Sequence, residues 1–214
     1  MKVIAREDGV ALVVALMALL LMTALGTALI LTSSSETIIA AHFRDSLEAR
    51  YAAGAMVERG VDDIAASSDW TLLTSGVLQS AWVDGAPSGP RTLVDGATID
   101  LGQAVNLANC RKTTVCSAAD MNAVTSDRPW GTNNPRWKPY AYGPLRNLAG
   151  PGSIDSPCYV LVLVGAGVAT PGWDVLAVRG EAFGPRAAHA VVEATVGRAA
   201  GSAAARILSW REIR

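Results

Sequence analysis

The sequence predicts an α+β protein in which one long amino-terminal helix packs against an antiparallel β-sheet. Three observations predict it. Val10 to Leu31 is an uncharged run of 22 residues. The residues that follow keep a helical period but carry charge on one side. Near the carboxyl end, two segments with strict two-residue alternation flank Gly184-Pro185-Arg186.

The totals set the frame. The chain has 214 residues, room for one domain with a sizeable core plus an appendage. Its formal net charge is −1 and no basic patch carries interleaved aromatics, so no direct nucleic-acid partner is indicated.

The run Val10–Leu31 is about 33 Å long as a helix, enough to cross a hydrocarbon core of about 30 Å. A secretory h-region is shorter, at about 7–15 residues. Only Thr23 and Thr27 interrupt the run. We therefore expect a single membrane pass. Lys2 and Arg6 place the amino terminus in the cytoplasm and the rest of the chain beyond the cytoplasmic (inner) membrane.

From Thr32 the pattern turns amphipathic. Ile39, Phe43, Leu47, Tyr51, Gly54, Val57, Val61 and Ile64 recur at steps of three and four, one face of a helix. Ser67-Ser68-Asp69 reads as its exit. The expected organisation is a leader at 1–9, a transmembrane half-helix at 10–31, an amphipathic half-helix at 32–66 and an extracytoplasmic β domain at 67–214.

Residues 67–97 are rich in turn formers, with short candidate strands at Trp82–Asp84 and Thr98–Leu101. The segment "RPWGTNNPRWKPYAYGPLRN" sets Trp130, Trp137, Tyr140 and Tyr142 among prolines. It reads either as an irregular lid over the sheet or as an interaction surface, since Trp and Tyr join a stiff apolar body to a polar tip.

Tyr159–Val164 is an apolar strand. Leu176, Val178, Gly180 and Ala182 alternate with Val175, Ala177, Arg179 and Glu181, and Ala188 to Val196 alternate in the same way. A three-residue loop at 184–186 would set Val178 opposite Val192, Leu176 opposite Ala194 and Glu181 opposite His189 on an outer face. The result is a sheet with one apolar face, which the helix stripe needs. "RAAGSAAA" reads as a hinge and "RILSWREIR" as a last strand or a short helix; the strand, with Leu208 and Trp210 on one face, would complete the sheet.

Of the three cysteines, Cys110 and Cys116 are too widely spaced for a C-x-x-C motif. In an exported domain one disulfide forms among Cys110, Cys116 and Cys158, with the pairing open. The two histidines, His42 and His189, have no recognisable catalytic or metal partners. "GAGVAT" lacks the third glycine of a dinucleotide loop, and Asp62-Asp63, Asp95 and Asp100 lack the spacing of a calcium loop. No enzyme activity, cofactor or metal is expected.

The short charged leader "REDG", the apolar run "GVALVVALMALLL" and the continuation "HFRDSLEARYAAGAMVERGVDDI" resemble the type IV pilin-like proteins. The details are most similar to PilX-type minor pilins and the type II secretion pseudopilin K group. Weaker likeness extends to "RPWGTNNPRWKPYAYGPL", "VRGEAFGPRAAHAVVEATVGR" and "RILSWREIR". The resemblance implies cleavage by a prepilin peptidase between Gly9 and Val10, and N-methylation of Val10. It also implies partnership with other pilin-like subunits, an inner-membrane assembly platform and membrane lipid.

Most pilins carry glutamate at the fifth mature position, and here Val14 stands there. The pseudopilin K group shares that absence, so the resemblance points to a subunit that initiates or caps a filament. The rival reading treats Val14 as drift in a simple anchor. Some pseudopilin K proteins bind calcium, but no matching motif is present to carry that over. The alternative function is a signal-anchored extracytoplasmic binding module that enters no filament.

Overall fold

The computed structural model describes residues 8–123, 134–148, 155–168, 170–202 and 204–213. Its elements are α1 (Asp8–Ala65), α2 (Thr71–Ser75), β1 (Pro90–Thr92), β2 (Thr98–Asp100), α3 (Leu101–Cys110), α4 (Ala118–Ala123), β3 (Lys138–Pro144), α5 (Leu145–Leu148), β4 (Tyr159–Ala166), β5 (Trp173–Phe183), β6 (His189–Ala199) and β7 (Ala205–Ile213). Contacts divide the chain into two units within α1, one ending at Arg44 and the other starting at Asp45.

In the first unit α1 carries the uncharged run, and its side chains from Val10 to Leu31 are exposed or nearly so. The helix is long and apolar enough to cross a membrane, with a mean hydropathy of 2.5 over its most apolar window. Its hydroxyls make no outside demand. Thr23 donates to the Leu20 carbonyl at 2.9 Å and Thr27 to the Thr23 carbonyl at 2.8 Å. Thr32, Ser34, Ser35 and Thr37 each donate one turn back in the same way. A hydroxyl satisfied by its own helix costs little in lipid.

The second unit is built on a five-stranded antiparallel sheet in the order β3-β4-β5-β6-β7, with β1 and β2 forming a separate hairpin. The part of α1 from Asp45 onward packs on one face of the large sheet. The helix side of this core holds Ala49, Ala52, Ala53, Met56, Val57, Val61 and Ile64, and the sheet side holds Val160, Val162, Val164, Leu176, Val178, Val192, Ala194 and Val196.

The face of α1 that meets the sheet differs from the expected row. Val57, Val61 and Ile64 are buried, but Tyr51 is 72 % exposed, and Ile39 and Phe43 also stand out in the open. Each step of four overshoots a helical turn by about 40°, so three steps from Ile39 to Tyr51 rotate the row by about 120°. The contact is carried instead by Ala49, Ala52, Ala53 and Gly60, small residues that admit the sheet closely.

The sheet is covered on both faces, not one. On the far face Leu161, Leu163 and Ala177 join Leu101, Ala104, Ala108, Trp137 and Tyr142 in a second core beneath α3. That explains why Tyr159–Val164 is apolar throughout instead of alternating. Asp100 starts α3 by accepting the Gln103 N–H at 2.9 Å. The expected strand residue Leu101 is therefore the first residue of a helix and is fully buried.

The β5–β6 register also differs. Val178 faces Ala194, Leu176 faces Val196 and Glu181 faces Val191, two places along from the expected pairing. An even shift leaves every side chain on its expected face. The connection is longer because Gly184 donates to the Ala188 carbonyl at 2.7 Å, with Arg186 and Ala187 held at φ of 52° and 58°. Tertiary contacts stabilise that turn. The Arg186 N–H donates to Asp95 Oδ2 at 2.8 Å, and its guanidinium pairs with the buried Asp45 of α1.

β7 completes the sheet as expected, antiparallel to β6. Leu208 and Trp210, however, do not share a face. A register shift between Thr195 and Val196 makes Leu208 the extra residue of a bulge. A methyl at Gly197 would meet Leu208 Cδ1 at 2.7 Å on the outer face, whereas a methyl at Gly54 of α1 would meet the Trp210 ring at 3.6 Å on the inner one.

Candidate assembly site

The residues expected to carry processing and assembly open α1. Gly9 and Val10 lie in its first turn, and Val10 and Val14 are 66 % and 60 % exposed. The leader residues 1–7 are outside the described residues. Val14 adds no charge to a surface that is apolar on all sides. A carboxylate there would be costly in lipid unless paired, and an uncharged side chain carries no such requirement.

The described members of the expected aromatic surface are in the core. Trp137, Tyr140 and Tyr142 are 1 %, 4 % and 0 % exposed, while Trp130 lies outside the described residues. In the described part of the segment, Lys138–Pro144 is a strand where an irregular lid was the other expectation. Its prolines are tolerated because β3 is an edge strand. Tyr140 points toward α1, where its hydroxyl donates to Asp63 Oδ2 at 2.6 Å. Burial, together with that carboxylate, raises the Tyr140 pKa well above the ordinary tyrosine value. Burial likewise raises Tyr159, to about 12.

One arginine ties the sheet to the helix end. Arg198 of β6 donates to the Ser67 and Ser68 carbonyls at 2.8 Å each, pairs with Asp174 and stacks on the Trp70 ring. α1 has no basic residue in its last turn, so the sheet supplies the cation that its carboxyl-terminal dipole favours.

Cys110 and Cys116 form the disulfide, which closes the short loop after α3, and Cys158 is a buried free thiol. Burial raises the Cys158 pKa, which disfavours its reactive thiolate.

The outer face holds an ion network that strand alternation alone did not reveal. Arg179 donates from Nε to Glu181 Oε1 at 2.6 Å and from Nη1 to Glu193 Oε1 at 2.8 Å. Arg211 donates to Glu193 Oε2 at 2.6 Å, and His189 Nε2 lies 3.1 Å from Glu181 Oε2. The Glu181–His189 contact expected from sequence exists as a diagonal pair, because His189 faces Phe183 and stacks on its ring. The carboxylates are almost wholly buried, at 3 % and 5 % exposure. The missed signal was three charged residues, Arg179, Glu181 and Glu193, inside strands whose other charges lie near their ends.

Burial pushes the Glu181 carboxyl up, but His189 and Arg179 pull it further down, leaving it below the ordinary 4.5. A carboxyl depressed on folding adds stability that is fully present above its unfolded value and is lost as pH falls through its folded value. Glu181→Gln is therefore expected to flatten the fall in stability below about pH 4.5, measured as urea midpoint against pH. An unchanged acid slope would contradict this assignment.

Among the described residues, no group of three or more His, Cys, Asp or Glu side chains is placed to hold a metal ion. With this geometry established, comparison with known families gives one match. Residues 8–56 match the family described as PilX N-terminal. The match covers less than a quarter of the chain, from the start of α1 into its sheet-packed part. No curated protein and no solved structure matches the chain. The matched segment contains Gly9, Val10 and Val14, so the PilX-like likeness falls on the residues expected to act in processing and assembly. β3 to β7 lie outside it.

Proposed function

We propose that the protein is a minor pilin-like subunit of a type IV pilus or a related type II secretion pseudopilus, acting in filament initiation or at the tip. The observation that carries this reading is the PilX N-terminal match over 8–56, on a helix whose later part packs against an antiparallel sheet. The work is insertion, extraction and helix packing, with no bond made or broken by this chain. In this reading a prepilin peptidase removes residues 1–9 on the cytoplasmic side and Val10 becomes the methylated amino terminus. The β domain then stands outside the inner membrane. Val14, in place of an acidic residue, makes no ion pair to a neighbour's amine below it, which suits a subunit that begins or caps a filament.

The alternative, an anchored binding module, drew on an aromatic surface whose described members are in the core. Gly9→Leu separates the two. In cells with an active prepilin peptidase and the matching assembly machinery, the variant is expected to keep its leader and to disappear from sheared filaments or their initiation complexes. Normal processing and assembly of Gly9→Leu would sink the proposal.

A further inference from the structure

We propose that the outer edge of β7 is a docking edge for an extended segment of another polypeptide, apolar on the side facing α1 and acidic on the other. The two ends of the sheet are treated differently. β3 is covered by the chain at Ser80–Asp84. Ser80 N–H donates to the Tyr140 carbonyl, Asp84 N–H donates to the Tyr142 carbonyl, and Tyr142 N–H donates to the Trp82 carbonyl. Pro139 and Pro144 protect it further. Among the described residues, no strand pairs with the far side of β7, which runs for nine residues. On either side of the Leu208 bulge the edge presents outward N–H and C=O groups, and the ligand that complements such a row is another strand.

The two faces of the edge define that strand's side chains. On the α1 side lie Ile207 and Trp210, 42 % and 41 % exposed, with the Trp210 ring against the small Gly54 of α1. On the outer side lie Arg206, stacked over Trp173, and Arg211, which holds Glu193 and keeps its side chain 37 % exposed, with the bulged Leu208 between them and Ile213 beyond. The only acid on β7, Glu212, is matched by Arg50 of α1. The edge is thus apolar on the α1 side, and the charges on its outer side are all cationic, so the complementary strand alternates apolar with acidic residues. This inference stands on the β domain and holds whether or not the chain enters a filament.

The test uses the full chain in detergent micelles and a fluorescent nine-residue peptide alternating valine with glutamate. Two versions of the peptide are N-methylated at alternate amides, one on each parity. The expected result is that the parent peptide binds, one methylated version loses at least tenfold in affinity and the other stays within about threefold. Trp210→Lys is expected to weaken the parent peptide at least tenfold. No binding by the parent, or an equal response to the two methylation patterns, would overturn the proposal. A dimer of the unliganded chain that Trp210→Lys dissociates would overturn it in favour of a second copy on the same edge.

Discussion

Arg179→Ala is expected to destabilise the β domain by about 3–5 kcal/mol, the range for removing one partner of a buried ion pair. Arg179 is the shared donor to Glu181 and Glu193, both almost wholly buried. Without it, among the contacts of the described residues, Glu181 keeps the His189 ring nitrogen and Glu193 keeps Arg211. Buried carboxylates left short of donors bear the full desolvation cost. Arg211→Ala is expected to cost less, because its side chain is 37 % exposed and water replaces part of what is lost. Urea unfolding of the full chain in micelles, followed by tryptophan fluorescence, measures both. The triple variant Arg179→Met, Glu181→Gln, Glu193→Gln is expected to recover much of the loss, since the charges leave together. Equal costs for Arg179→Ala and Arg211→Ala would contradict the account.

The neighbouring residue on β5 points the other way and gives the second large effect. A methyl at Gly180 would meet Val57 Cγ2 at 2.6 Å and the Ala53 carbonyl oxygen at 2.7 Å. The Val57 contact can relax by a rotamer change, but the backbone carbonyl moves only with α1. Gly180→Ala is therefore expected to cost about 2–3 kcal/mol, within the range for overpacking a core. Adding Val57→Ala is expected to restore only part of it, because the Ala53 carbonyl remains. Gly26→Ala serves as the control, since nothing lies within 4 Å of the added methyl, and its urea midpoint is expected to stay unchanged.

These two positions show where sequence reasoning succeeds and where it stops. Alternation placed Gly180 on the helix side and Arg179 on the other, and the structure agrees, because a two-residue period fixes face without fixing register. The register then slipped by two places, since the β5–β6 turn is set by Arg186 reaching Asp45 and Asp95, contacts far apart in sequence. Large apolar residues suggested the wrong side of α1 near Tyr51. The contact belongs to Ala49, Ala52 and Ala53, whose small size gives no periodic signal of its own. α3 was hidden because its buried residues, Leu101, Ala104, Ala108, Asn109 and Cys110, include only one large apolar side chain. The aromatics of 137–142 were legible as interface formers, and they do form an interface, but an internal one, between β3 and the two cores. In the candidate assembly site, the uncharged run, the glycine before it and the valine at position 14 were all legible directly. Their residue types carry the argument without long-range contacts.

The central claim is that Gly9 is a processing site and not merely the first turn of an anchor. Intact-mass measurement of the protein purified from membranes of cells with an active prepilin peptidase tests it most directly. The account predicts a chain that begins at Val10 and carries one added methyl group. A chain that retains residues 1–9 in those cells would contradict it.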